Sequence, residues 1–242
     1  METITLQSKR ALTDSLFELV FEHPQDWSYQ AGQFARLGLP QEGDEPIFRA
    51  YSMSSTPEEK TLSFLIKCVQ DGQLSPRLTS LEIGESVLLD GDAQGNLLPE
   101  RIPGGEVMWF FATGAGLAPF LGLLKEKTAL ASWPRIVLAL SARTLAEANA
   151  LSALATATRH PALMILPATT RETSTLQGRL PALLESGVLE QRAGARLEPD
   201  VSRAMLCGNP DFIKDMRALL KTRSMVSPRF GKPGQLLVES LW

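Results

Sequence analysis

The first hundred residues alternate short runs of branched and aromatic residues with polar turns. Six such runs are separated by Gly, Pro, Asp and Gln, namely TITLQSKRAL, SLFELVFEHP, GQFARLGLP, FRAYSMSS, TLSFLIKCV and ESVLLDG. This spacing is typical of short β-strands joined by tight turns, and it predicts a small antiparallel barrel or sandwich. One helix is predicted at SPRLTSL, with Ser75 as its N-cap and Pro76 as its first helical residue.

The hydrophobic period changes after PERIPGG, at residues 99–105, which we interpret as a linker. Apolar strands such as EVMWFFATG and RIVLALSAR alternate with helical stretches such as LAEANALSALATATR, LPALLESGVLEQ and PDFIKDMRALLKTR. Strands that alternate with helices imply a parallel sheet covered on both faces. We therefore predict an antiparallel β-barrel domain over residues 1–100, followed by a doubly wound parallel-sheet α/β domain over residues 101–242.

Composition restricts the class of protein. The 242 residues are 44% hydrophobic and 21% charged, which is typical of a globular protein. No apolar run reaches the roughly 18–20 residues of a membrane span, and METITLQSKR lacks the pattern of a signal peptide. We expect a cytoplasmic protein that does not contact the membrane. The two cysteines, Cys68 and Cys207, are too few for an iron–sulfur cluster or a thiolate zinc site, and no metal is expected.

The charge is distributed unevenly along the chain. Residues 1–100 hold 7 Lys+Arg against 16 Asp+Glu, a net −9, whereas residues 101–242 hold 17 against 11, a net +6. This difference suggests two domains with different ligands. Clustered basic residues interleaved with aromatics are missing, so nucleic acid is not an expected partner. A phosphate-bearing small molecule or an acidic protein fits the basic half better.

Two features of the second half favour a dinucleotide. In TGAGLAP, Thr113 and Gly114 lie between a predicted strand and a helix, where a glycine-rich backbone can approach a pyrophosphate. Arg143, Arg171 and Arg179 follow later strands, and forked cations at one sheet edge can hold the 2′-phosphate that distinguishes NADP from NAD. The alternatives are a tight turn without a ligand and three solvated loop arginines.

Two further stretches carry candidate chemistry. In MLCGNPDF, Cys207 is at a predicted strand end, where it is either a site residue or a small core residue. In RAYSMSS, Arg49 can meet a diphosphate, Tyr51 can stack on a flat ring and Ser52 can bond a ring nitrogen. DGQLSPRL, downstream, offers a helix start for the same diphosphate. The alternative is a buried arginine paired with an acid, beside a core tyrosine.

These motifs, in this order, resemble those of the ferredoxin–NADP(+) reductases, and most closely their bacterial ferredoxin- and flavodoxin-reducing branch. RAYS is similar to the flavin motif, DGQLSPRL to the diphosphate-binding helix start and ATGAGLAPFL to the NADP pyrophosphate turn. TTRE with GRLPALLESG resembles the 2′-phosphate region, LCGNP the segment beside the nicotinamide, and VESLW the Glu-plus-aromatic end. The resemblance covers nearly the whole chain.

The resemblance implies an enzyme with FAD and NADP(H) as cofactors, which transfers a hydride from NADPH to FAD and then single electrons, reversibly, to ferredoxin or flavodoxin. An NADPH-dependent free-flavin reductase, or a flavin-binding electron-transfer subunit without NADPH activity, remains an alternative. The implied catalytic residues are Ser52, Cys207 and Glu239, although Glu239 is alternatively a surface carboxylate. The implied FAD contacts are Arg49, Ala50, Tyr51, Ser52, Met53, Gly72, Leu74, Ser75 and Trp242. The implied NADP contacts are Thr113, Gly114, Arg143, Thr170, Arg171, Arg179, Cys207, Gly208 and Asn209.

The chain departs from the family at two places. Many relatives have a tyrosine where Leu241 stands, so that only Trp242 is aromatic there, and we expect it to stack on the adenine or on the flavin. The stretch from Arg171 to Arg179 is shorter than in close relatives, which leaves open whether Arg179 reaches the phosphate.

The expected carrier site is a basic face within residues 214–232. It holds one acid, Asp215, and six cations, namely Lys214, Arg217, Lys221, Arg223, Arg229 and Lys232. Such a face is expected to steer an acidic ferredoxin or flavodoxin, and its alternative is a solvated helix face. We expect a monomer.

Overall fold

The computed structural model describes residues 1–41, 43–126 and 128–240. Its first sheet contains six antiparallel strands in the order β4-β3-β6-β1-β2-β5. A bridge between Met53 and Phe64 joins the two outer strands and closes the sheet into a barrel. The strands are β1 (Glu2–Thr13), β2 (Leu16–Glu22), β3 (Phe34–Gln41), β4 (Asp44–Ser52), β5 (Thr61–Lys67) and β6 (Ser86–Gln94), and a short helix, α1 (Ser75–Ser80), lies between β5 and β6.

The barrel interior is filled by the alternating apolar positions of these strands. Ile4, Leu37, Phe64 and Ile66 are fully buried, and Phe21 packs edge-on against Phe64 with 6.1 Å between ring centroids. This is the alternation of inward and outward residues that a half-buried strand requires. The predicted antiparallel barrel is confirmed.

The second sheet is parallel, with the strand order β11-β10-β7-β8-β9. Its strands are β7 (Val107–Thr113), β8 (Arg135–Ala142), β9 (Leu163–Thr169), β10 (Ser202–Gly208) and β11 (Leu236–Ser240). The helices between them are α2 (Ala118–Lys125), α3 (Leu145–Ala157), α4 (Leu180–Glu185), α5 (Val188–Ala193) and α6 (Pro210–Thr222). From β7 the chain adds β8 and β9 on one side of that strand, and then crosses to its other side to add β10 and β11. The strand order therefore reverses between β7 and β10, which is where open α/β sheets bind ligands.

Both faces of the second sheet are covered, as β7 illustrates. Met108 and Phe110 point into an apolar cluster that includes residues of α2 and α3. Trp109 and Phe111 point into a second cluster, which includes residues of α4, α5 and α6. A strand buried on both faces reads as a continuous apolar run, which is what the sequence has here. The predicted doubly wound domain is confirmed.

The outside of the barrel and the parallel sheet meet in one apolar cluster, which is distinct from the cluster inside the barrel. Leu16, Leu65 and Leu97, from the barrel side, are almost fully buried in the same cluster as Leu117 and Phe120. The first sheet ends at Gln94 and the second begins at Val107, so the predicted division at residue 100 falls between two sheets that are packed together by apolar contact. Such an interface holds two domains in one arrangement more firmly than a polar one.

Two local predictions are wrong. LPALLESGVLEQ forms two helices, α4 and α5, because Gly187 adopts φ 78° between them. Ser75 is not the N-cap of α1: Leu74 holds that position, and the Ser75 hydroxyl accepts a bond of 3.0 Å from the Val69 amide. Among the helices of the described ranges, none is long and apolar enough to cross a bilayer.

The apolar cluster shared by the two domains predicts cooperative unfolding. Leu65, which is 3% exposed on β5, packs in the cluster that also supports the parallel sheet. We expect Leu65→Ala to lower the free energy of unfolding by about 2–5 kcal/mol and to keep a single calorimetric transition. The matched control is Ile83→Ala, 69% exposed, which is expected to stay within about 0.5 kcal/mol of the parent protein. Two separate transitions, of which only one moves, would contradict a common core.

Candidate active site

The site forms where the barrel meets the carboxyl edge of β7 and β10. Thr113 ends β7, and its Oγ1 accepts bonds from the backbone amide of Asn209 at 3.2 Å and from its side-chain Nδ2 at 3.3 Å. A 3-10 turn, Gly114–Leu117, then leads into α2. It lies so close to β10 that a Cβ on Gly116 would stand 2.4 Å from the carbonyl oxygen of Cys207. Only glycine fits there, and the backbone is left open at the strand end.

Three polar side chains from three strands meet at this edge. Ser52 ends β4, and Cys207 and Glu239 are direct neighbours on β10 and β11. The Ser52 hydroxyl donates to Glu239 Oε1 at 3.3 Å. Their exposed fractions are 2%, 0% and 7%. The structure thus brings together the three residues that we predicted to be catalytic, and Glu239 is not a surface carboxylate.

Burial determines the protonation of this cluster. It raises the pKa of Glu239 to about 7, against the opposing effects of the Asn96 amide and the Ser52 hydroxyl. It also raises the pKa of the Cys207 thiol, and the nearby charge of Glu239 raises it further. At neutral pH, Cys207 is therefore a neutral thiol, whereas Glu239 exchanges its proton readily.

Arg49 and Tyr51 occupy the barrel side of the site. Arg49 is exposed, and its Nη1 donates to the carbonyl oxygen of Phe48 at 2.7 Å. Within residues 1–41, 43–126 and 128–240, no salt bridge involves Arg49, so the alternative of a buried, acid-paired arginine is wrong. Tyr51 is half-buried, and burial raises its pKa to about 12 while the Arg49 cation opposes the rise. An exposed cation and a half-buried aromatic ring therefore lie two residues apart, with Ala50 between them.

Several predicted FAD contacts can offer only backbone. Met53 is 0% exposed and Leu74 is 2% exposed, because both side chains belong to the barrel core. The loop before α1 is shaped by two bonds to Val69: its amide donates to Ser75, as described above, and its carbonyl accepts from Gly72 N at 2.8 Å. Leu241 and Trp242 lie outside the described residues, so the stacking predicted for Trp242 stays a prediction.

The predicted arginine cluster lies at the end of β8 and β9. Thr170 N donates to the carbonyl of Ala142 at 3.0 Å, and Arg171 N to that of Arg143 at 3.1 Å. Strand pairing therefore continues past both strands and sets Arg143 beside Arg171. Both side chains are exposed, as a phosphate ligand requires.

Arg179 returns to the same edge. The amide of Gly178 donates to the carbonyl of Thr169 at 2.8 Å, which closes the loop of residues 169–178 on itself. Arg179 follows directly as the N-cap residue of α4, and its side chain is exposed. The closed loop therefore brings the backbone of Arg179 back to the end of β9, and its contact with the phosphate stays a prediction.

Asn209 has a structural role that its motif did not reveal. Its Oδ1 accepts from Phe212 N at 2.9 Å, which caps α6, while its Nδ2 donates to Thr113. Both polar atoms of the Asn209 side chain are therefore hydrogen-bonded within the protein, whereas the side chains of Arg143, Arg171 and Arg179 are exposed. Gly208, just before it, ends β10 beside Thr113.

Sequence reasoning missed two contacts that cross between the domains. Lys67 Nζ on β5 pairs with Glu147 Oε1 on α3 at 3.0 Å, and Glu147 Oε2 accepts from Arg143 N at 3.3 Å. Asn96 N, after β6, donates to Glu239 Oε2 at 3.4 Å. No local pattern marks these pairs, apart from the Gly-Asn turn at residues 95–96.

The basic face predicted at residues 214–232 loses one member. Arg223 Nη1 pairs with Glu190 Oε2 at 2.9 Å, and its Nη2 donates to the carbonyl of Leu184 at 3.1 Å, so it supports α4 and α5 instead of facing a partner. Arg229 is stacked on Phe230, a ring that is 89% exposed, at 4.7 Å from its centroid. The remaining cations are exposed, namely Lys214, Arg217, Lys221 and Lys232.

The donor set fits an FAD on the barrel and a phosphorylated dinucleotide on the sheet. A diphosphate needs a free cation and open backbone, which Arg49 and the start of α1 provide. A second diphosphate needs close backbone approach, which the turn at Gly116 provides, and a further phosphate needs the arginine cluster.

Known proteins show the same organisation. Residues 3–97 match the family described as an oxidoreductase FAD-binding domain. A flavodoxin/ferredoxin–NADP reductase of Escherichia coli (strain K12) is 37% identical over 95% of this chain and 94% of its own length. A ferredoxin–NADP reductase A of Sorangium cellulosum is 35% identical over 94% of this chain and 85% of its own. The crystal structure of a ferredoxin NADP+ reductase from Neisseria gonorrhoeae, with bound FAD and NADP, superposes with a TM-score of 0.93 at 32% identity, covering 100% of this chain and 98% of that one.

The buried carboxylate predicts a pH-dependent stability. The folded-state pKa of Glu239, about 7, lies above its unfolded value of about 4.3. Between these values the folded protein binds more protons, so stability from this group falls as pH rises. We expect Glu239→Gln to gain about 2–3 kcal/mol of unfolding free energy relative to the parent protein between pH 4.5 and pH 8, measured by urea unfolding.

Glu198→Gln, at a carboxylate that is 50% exposed, is the control and is expected to show no such gain. An equal difference between Glu239→Gln and the parent at both pH values would mean that the site tolerates the charged carboxylate.

Proposed function

We propose that this chain, which belongs to the flavodoxin/ferredoxin–NADP reductase family, is an oxidoreductase that takes electrons from NADPH with a bound FAD and delivers them singly to ferredoxin or flavodoxin, reversibly. The single observation that carries this proposal is the buried cluster of Ser52, Cys207 and Glu239, where the barrel meets the switch point of the parallel sheet. Both the cytoplasmic location and the monomeric state expected from the sequence belong to this proposal.

The barrel supplies the FAD side. Arg49, which makes no salt bridge within the described part of the chain, holds the diphosphate together with backbone amides from Gln73 to Ser75, in the loop that Gly72 begins. The half-buried ring of Tyr51 packs against the flat ring system, and Ser52 presents its hydroxyl at the end of the same strand. Ala50 and Met53 contribute backbone only.

When bound, FAD supplies hydride acceptance and one-electron release, which no amino-acid side chain offers. The chain's own residues orient and protect that chemistry. Cys207, a neutral buried thiol, gives a small apolar surface for the nicotinamide and excludes water. Glu239, with a pKa of about 7, holds or releases a proton at Oε1 or Oε2, and the Ser52 hydroxyl keeps that carboxyl group in place.

The parallel sheet supplies the NADP side. Thr113 and Gly114 begin the turn whose backbone faces the pyrophosphate, and Gly208 keeps the neighbouring strand end open. The cluster of Arg143, Arg171 and Arg179, with Thr170, holds the 2′-phosphate. We leave the Asn209 side chain out of this set because it caps α6.

The carrier is an acidic protein, and the exposed cations of α6 attract it. Lys214 and Arg217 lie on the two turns of α6 next to the site, and Lys221 lies on the last turn. The 13 residues of α6 extend about 20 Å, whereas a protein interface of standard size is about 30 Å across. One carrier can therefore cover the site edge and this face together.

The first test measures electron flow. Anaerobic addition of NADPH is expected to bleach the yellow chromophore of the purified protein, and added flavodoxin or ferredoxin to restore it. The double change Lys214→Glu with Arg217→Glu is expected to lower kcat/KM for the carrier about tenfold and to reduce its dependence on salt. Ferricyanide reduction, which needs no docking face, is expected to be unchanged.

The control for this test is Lys60→Glu, at an exposed side chain of the barrel domain just before β5. A carrier rate that ignores the Lys214 and Arg217 changes would refute the face. Faster turnover with free FMN than with either carrier would instead favour a flavin reductase, and a chromophore that NADPH does not bleach would favour a subunit without NADPH activity.

The second test concerns cofactor choice. We expect Arg143→Gln with Arg171→Gln to raise KM for NADPH by about 100-fold or more, since each of the two charge-assisted phosphate bonds contributes about 1.5–3 kcal/mol. KM for NADH is expected to change less than about threefold, because NADH has no 2′-phosphate for these side chains. The measurement is steady-state ferricyanide reduction with each nucleotide, and equal changes for both would contradict the assignment.

A further inference from the structure

The turn after β6 reaches across the domain junction to Glu239. Asn96 N donates to Glu239 Oε2 at 3.4 Å, and the Ser52 hydroxyl donates to Oε1 at 3.3 Å. Each carboxylate oxygen thus has one donor, and both donors belong to the barrel, whereas Glu239 belongs to the parallel sheet. The barrel therefore determines where this buried carboxyl group lies.

Gly95 makes the Asn96 contact possible. It has φ 121°, a conformation that residues with a Cβ rarely adopt. A Cβ at this position would stand 2.7 Å from Glu239 Oε2, and 3.2 Å from Phe34 Cδ1 and 3.3 Å from Gln33 Cα. The closest of these atoms is the end of a flexible side chain, so an added methyl group displaces the Glu239 carboxyl group before it displaces the barrel.

We propose that Gly95 is a positioning residue for Glu239: by leaving room for the carboxyl group against the Asn96 amide, it sets the pH at which Glu239 exchanges its proton during turnover. This inference rests on the proposed function, in which Glu239 is the proton-holding group. In this role Gly95 acts through Glu239, whose Oε2 is the atom closest to the position of an added Cβ.

Few other groups influence that proton. Cys207, next to Glu239 on β10, is the ionisable neighbour, and burial keeps it a neutral thiol. Arg101 Nη1 donates to Asn96 Oδ1 and so lies one side chain away. In the ranges that the structure describes, no cation makes a salt bridge with Glu239. Burial, which raises the pKa of Glu239, is therefore opposed by two hydrogen bonds, and loss of one of them raises it further.

The test is the pH profile of kcat in the FAD-loaded enzyme with NADPH and ferricyanide. Glu239→Gln identifies the inflection that belongs to Glu239. We expect Gly95→Ala to move that inflection upward by roughly 0.5–1 pH unit, because the carboxylate loses a donor, and to leave KM for NADPH within about twofold. Gly84→Ala is the matched control, since Gly84 has φ 96° in the same domain with no atom near its Cβ position.

A second pair of variants keeps the inference testable if Gly95→Ala does not fold. Asn96→Pro removes the amide hydrogen, and Asn96→Ala keeps it while removing the Arg101 contact. We expect Asn96→Pro to move the inflection as Gly95→Ala does, and Asn96→Ala to leave it in place. Infrared spectra taken across the pH range give an independent readout, because the C=O band of the protonated carboxyl group disappears on ionisation.

An inflection in Gly95→Ala that matches that of Gly84→Ala, or one that moves downward, overturns the inference. Failure of the proposed function gives a different result, because the parent protein itself would then not reduce ferricyanide with NADPH. In that case the infrared titration of Glu239 still shows whether Gly95 and the Asn96 amide set its proton affinity.

Discussion

A carboxyl group buried between two domains is the constraint on which the rest of this molecule depends. Burial removes the water that would hydrogen-bond to the carboxylate of Glu239. Two donors from the barrel replace that water, namely the Ser52 hydroxyl and the Asn96 amide. Glu239 itself lies on β11 of the parallel sheet, one residue before the strand ends. These bonds exist only if barrel and sheet keep one relative position, and the apolar junction, which is continuous with the core under the parallel sheet, holds that position.

Much of the fold could be predicted because its rules are local. Alternation with a period of two, interrupted by turn residues, indicates antiparallel strands wherever it occurs, and apolar runs followed by helical patterns indicate parallel ones. Local rules fail where two neighbouring signals compete. Gly187 divides one apolar helical pattern into α4 and α5, and the Ser75 hydroxyl accepts a bond from the Val69 amide although its residue type favours an N-cap.

The site was predictable to the extent that strand ends and short motifs mark it. Cys207 and the arginines lie at or just after the ends of apolar strands, and parallel strands bring such positions to one edge. Ser52 ends a strand of the barrel and was marked by its motif. Contacts between distant segments have no such mark. The Lys67–Glu147 pair spans 80 residues, the Asn96–Glu239 bond spans 143, and the partner of Arg223 lies on another helix, so charge counting along α6 overstated its exposed face.

The apolar cluster between the two domains also limits which domains can be exchanged between homologous chains. Leu16, Leu65 and Leu97 are shaped to Leu117 and Phe120 of the other half, and close-packed surfaces tolerate few changes of volume. In a chimera that joins this barrel to the nucleotide-binding half of a distant homologue, the side chains of the two halves would not fit each other at the apolar interface. Compatible exchange therefore has to transfer the facing leucines and phenylalanines as a set, which ties the evolution of the two halves to each other.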